Sequence, residues 1–65
     1  MPKYPKVKVK LVGEDGNAFN ILGIVQHAMK KNKIPNEEIE QYLKEAMDGD
    51  YNHLLQTTMK WITVI

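Results

Sequence analysis

Lys6-Val7-Lys8-Val9-Lys10-Leu11 alternates charge and hydrocarbon without a break, and this period of two decides how the rest of the chain is read. Successive side chains of a strand project to opposite faces, so Val7, Val9 and Leu11 share one face while Lys6, Lys8 and Lys10 share the other. The apolar face needs a cover. Residues 1–5, with Pro2 and Pro5, read as a loose lead-in to this strand. Gly13, Glu14, Asp15, Gly16 and Asn17 are turn formers that end it, and Asn17 or Asp15 can cap the helix that follows.

From Ala18 the period becomes helical. Ala18, Phe19, Ile21, Leu22, Ile24, Val25, Ala28 and Met29 cover an arc of about 220°, wider than a surface helix needs, which predicts a central helix packed on two sides. Lys30, Lys31 and Lys33 suit its C-terminal end and Asn32 its stop. Gly23 inside it marks either a close approach or a tolerated cost of about 1 kcal/mol. A second helix starts at Asn36 as cap, with Glu37 and Glu38 in its first turn and an apolar stripe of Ile39, Tyr42, Leu43, Ala46 and Met47. Gly49 ends it and Asp50 caps a third helix with Tyr51, Leu54, Leu55 and Thr58 on its inner face. Trp61 to Ile65 is aromatic and β-branched and reads as a strand.

The expected fold is therefore α+β, one domain over residues 1–65, in the order strand, three helices, strand. The two terminal strands form the sheet, in either relative direction, with the helices covering the face of Val7, Val9 and Leu11. The 65 residues, 43% of them apolar, suffice for one small core. With no cysteine, disulfides, Cys-containing zinc sites and thiol chemistry are excluded. No apolar run approaches the ~20 residues of a membrane span, and the basic start has no apolar stretch behind it, so the expected location is the cytoplasm.

Chemical motifs are weak. The turn from Gly13 to Asn17 joins a strand to a helix start, where phosphate loops occur, but it lacks a Lys-Ser or Lys-Thr pair and carries Glu14 and Asp15; a structural role for Gly13, Gly16 and Asn17 is preferred. Asp48, Asp50 and Asn52 have the first spacings of a calcium loop. His53 stands where that loop needs glycine and Met59 where it needs glutamate, so no metal site is expected there. His27 and His53 lie opposite the apolar stripes and read as solvated. There is no serine, and Thr57, Thr58 and Thr63 lack any sign of activation, so no enzyme and no cofactor are expected.

Charge is uneven within a net +1. Lysines 3, 6, 8 and 10 cluster at the start and 30, 31 and 33 after the first helix, while residues 37–50 hold six acids and one lysine. Lys6, Lys8, Lys10 and Lys60 could track a phosphate backbone, with Trp61 and Tyr4 stacking on bases, against the plainer reading of a solvated strand face. No arginine is present, so the bidentate guanine contact of specific readout is missing.

The segments Gly13-Glu14-Asp15-Gly16-Asn17-Ala18-Phe19 with Ile21-Leu22-Gly23, and Gly49-Asp50-Tyr51 with Leu54-Leu55, Thr57 and Trp61, resemble a group of short bacterial and phage or plasmid proteins of no assigned function. The resemblance implies a small intracellular protein of bacterial or mobile-element origin and lends no catalytic residue. The expected function is a non-enzymatic interaction or regulatory module, with a sequence-tolerant nucleic-acid-binding protein as the alternative. In the last strand Ile62 and Val64 can face the helices, which puts Trp61, Thr63 and Ile65 outside with the lysines. Covering that face predicts a homodimer that extends the sheet, unless lysine stems fold over Trp61 within one chain.

Overall fold

The computed structural model describes residues 2–11 and 18–65 and has the expected order: β1 (Tyr4–Val9), α1 (Ala18–Lys31), α2 (Asn36–Ala46), α3 (Tyr51–Trp61) and β2 (Ile62–Val64). The strands pair in parallel, with Tyr4 opposite Ile62, Lys8 opposite Thr63 and Val9 opposite Val64. A parallel pair needs a long crossover, and the three helices form it. Between Tyr4 and Lys8 the register slips, and Pro5, with no N–H for the ladder, sits in that irregular stretch while its carbonyl accepts from the Thr63 hydroxyl at 2.9 Å.

Strand β1 begins at Tyr4, so the start of the chain is less loose than its prolines suggest. The Lys3 amide donates to the Lys60 carbonyl at 3.0 Å, and at the other end the Ile65 amide donates to Val9 at 2.8 Å. Val7 and Val9 are buried and Lys6, Lys8 and Lys10 exposed, as the alternation requires.

Helix α1 ends in a device that the sequence conceals. Lys33 takes φ 61°, the Lys33 amide donates to Lys30, and the Ile34 amide reaches back to Met29 at 3.0 Å. This is the paired bonding of a Schellman ending, with lysine where glycine is usual and buried Ile34 packed beside buried Met29. The Asn32 side chain adds a bond to the Ala28 carbonyl at 2.8 Å. Ile21, Leu22, Val25 and Met29 form the buried stripe, whereas Phe19 is 79% exposed despite its place in the apolar arc.

In α2, Asn36 is the first helical residue rather than the cap. Pro35 occupies the cap position with no side-chain bond, and its carbonyl accepts from the Glu38 and Ile39 amides. The helix stops at Ala46, before Gly49, and Met47 is exposed. Gly49 serves a different end. A Cβ there would lie 2.7 Å from the His53 ring, whose Nε2 donates to the Glu45 carbonyl at 2.9 Å. His53 is thus half-buried and bonded, not solvated. Asp50 caps α3 as expected, accepting from the His53 amide at 2.9 Å. Gly13, Gly16 and Asn17 lie outside the described residues.

The core gathers around Tyr42, fully buried, whose hydroxyl donates to Thr58 Oγ1 at 2.7 Å. Thr58 spends its own proton on the Leu54 carbonyl, so both buried hydroxyls are satisfied. Trp61 sets its ring edge-on to Tyr42 at 6.0 Å. Among the described residues nothing lies within 4 Å of where a Gly23 Cβ would be, which makes it a tolerated cost rather than a close approach. Gly23→Ala should therefore raise stability by about 0.5 to 1 kcal/mol, and Asp50→Ala should lower it by about 0.5 to 2 kcal/mol with or without chelator, both read from urea midpoints.

Candidate functional site

Helix α1 lies along β1, and the groove between them brings the strand lysines together with Lys31, one member of the distant second cluster. Lys6, Lys8 and Lys10 form one wall. Ile24, His27, Ala28 and Lys31 fall at i, i+3, i+4 and i+7 of α1, one face of the helix, and form the other. Val9, Ile24 and Ala28 supply hydrocarbon to the lining, and the space measures about 400 Å³. Among the described residues no carboxylate lines it. Among the described residues the ion pairs are Lys3 with Glu38 and Lys60 with Glu45, so the groove lysines make none there.

Lys60 does not join this surface. Its ammonium is bound to Glu45 Oε1 at 3.0 Å, beside Lys3 and Trp61. Trp61 is not on the outer face of the sheet either. The helix runs one residue past the start of the expected strand, and Trp61 belongs to the buried stripe of Leu54, Thr57 and Thr58. It is 3% exposed, packed between Tyr42 and Tyr4, with the Lys3 ammonium 4.5 Å above its ring. A lysine does cover it, from the lead-in rather than from the strand. Of the three residues expected on a self-association surface, Thr63 is half-buried with its hydroxyl on Pro5, and Ile65 alone is largely exposed, at 59%.

Two features escaped sequence reasoning. One is the cluster of Lys3, Tyr4, Glu38 and Trp61, in which Glu38 Oε1 accepts from both the Tyr4 hydroxyl and the Lys3 ammonium at 2.6 Å. The other is an apolar groove of about 310 Å³ between the start of α1 and the α2 to α3 turn, edged by Phe19, Met47 and Tyr51. Only Phe19 and Met47 carry a signal in the sequence, as apolar residues at the margins of their stripes.

Compared with known proteins, the chain matches no family model, no curated protein and no solved structure.

The Lys3 and Tyr4 bonds hold the Glu38 carboxyl below its ordinary range, and the same carboxylate pushes the Tyr4 phenol up. Lys60 lowers Glu45 in the same way. A carboxyl depressed in the folded state stabilises above its unfolded pKa and loses that contribution as pH falls through the folded value. A phenol that is raised acts in reverse, losing its contribution as pH climbs above about 10. Glu38→Gln should flatten the fall in urea midpoint below about pH 4.5 and remove part of the fall above pH 10; an unchanged profile at both ends would show that this cluster contributes nothing to folding.

Proposed function

We propose that the protein is a small, non-enzymatic binding module of the cytoplasm whose ligand is the phosphate backbone of nucleic acid, held in the groove between β1 and α1. The observation that carries this reading is the convergence of Lys6, Lys8 and Lys10 with Lys31 and His27 around one apolar floor that, among the described residues, holds no carboxylate. Four ammonium groups on a shared surface repel one another, and a polyanion relieves that repulsion while releasing its condensed counterions. Lysine presents a point charge and, with no arginine in the chain, the protein lacks the planar fork that reads guanine. Binding is therefore sequence-tolerant. Lys60, which the sequence grouped with these contacts, is outside the site.

Fluorescence anisotropy with labelled oligonucleotides tests this. With four lysines engaged, log K should fall against log salt with a slope of about −3.5, roughly a hundredfold loss between 50 and 200 mM. The triple variant Lys6→Glu, Lys8→Glu, Lys10→Glu should abolish binding and Lys60→Glu should leave it within about twofold. Tight binding to one sequence that survives high salt would overturn the proposal.

A second reading, a protein-contact module that forms a homodimer, draws support from a different surface. Phe19, Met47 and Tyr51, 79%, 59% and 40% exposed, edge the apolar groove beside the α2 to α3 turn. With Trp61 buried, the sheet loses the aromatic expected on its outer face, while this face keeps three large exposed apolar side chains. Sedimentation equilibrium at rising micromolar concentration should then show a dimer that Met47→Lys disrupts and Ile65→Lys does not, and a monomer throughout would dismiss it.

A further inference from the structure

We infer that the groove takes double-stranded nucleic acid in preference to a single strand, gripping the sugar-phosphate backbone along one edge of the duplex. This inference rests on the proposed function above and names its substrate class.

Proteins that hold single strands without reading sequence combine a cationic track with aromatic platforms on which the bases stack, each worth about 1 to 3 kcal/mol. This groove has the track and no platform. Among the described residues its lining is lysine, histidine, asparagine and aliphatic carbon, and no residue outside them is aromatic. The aromatic side chains are committed elsewhere: Trp61 and Tyr42 are buried in the core, the Tyr4 hydroxyl is bonded to Glu38, and Tyr51 and Phe19 flank the apolar groove at the start of α1. Bases splayed from a single strand would meet only the Ile24 and Ala28 side chains and the lysine stems.

What remains is charge, and for charge alone the duplex is the better ligand. It carries one phosphate per ~1.7 Å of axis, and each neutralised phosphate returns more counterion than in a single strand, about 0.9 against 0.7 per contact. The two walls also suit a continuous ribbon of phosphates. Alternate residues of a strand repeat at about 6.6 Å, which spaces Lys6, Lys8 and Lys10 on the scale of neighbouring phosphates along one chain. Across the groove, His27 and Lys31 stand one helical turn apart, about 6 Å. A backbone lying between these rows meets cations on both sides, while its bases stay paired and face away.

The test uses the full chain with a labelled DNA duplex of two helical turns and, separately, each of its component strands, titrated at low salt. The duplex should bind at least tenfold more tightly than either strand and with the steeper salt slope, and Lys31→Glu should weaken it several-fold. Supplying the missing platform with His27→Trp should raise single-strand affinity and narrow that ratio. Equal or tighter binding of the single strands, still abolished by the triple lysine variant, would overturn the duplex preference while leaving the groove as the phosphate site. Binding of neither form, or binding indifferent to the triple variant in a protein that retains its helical circular dichroism, would overturn the proposed function and this inference with it.

Discussion

The parallel pairing of β1 with β2 is the constraint on which the other contacts depend. A two-stranded sheet is marginal by itself, and here it is held because Val7, Val9 and Ile62 are buried against the helices that make the crossover. The pairing brings Tyr4 and Lys3 to the end of α3, which is what allows them to enclose Trp61. It also fixes the direction in which the outer face of β1 looks.

Charge is sorted by the same arrangement. The acids of α2 and its following turn lie away from the groove, and two of them, Glu38 and Glu45, neutralise the lysines that lie on their side. These exposed pairs contribute little to stability individually. Among the described residues, Lys6, Lys8, Lys10 and Lys31 share the groove without such a partner. A nearly neutral chain, net +1, can therefore gather several charges of one sign on a local surface.

The element order and the inward valines were legible because period two and period 3.6 are local signals. The parallel direction was not, since nothing in the alternation of Lys6 to Leu11 specifies which way its neighbour runs. Trp61 ends α3 rather than starting β2 because its β propensity is weak evidence beside the helical spacing from Leu54, Thr57 and Thr58, which tertiary burial enforces. The breadth of the apolar arc in α1 did hold information: Ile24 and Ala28, at one margin, are half-buried beside β1, with His27 and Lys31 on the same helical face. That those two would meet the strand lysines depended on the packing of α1 on β1. The αL ending at Lys33 carried no glycine to announce it.

Joining the two ends of the chain also sets an order of events in folding. Thr63 and Pro5 meet across 58 positions, and closing a loop of that length costs about 3.6 kcal/mol of chain entropy beyond a length-independent constant. The helical contacts are local by comparison and can form before this closure. Until β2 docks, β1 lacks its hydrogen-bonding partner, and Lys6 and Lys8 stand on an unpaired segment rather than on a strand of fixed register.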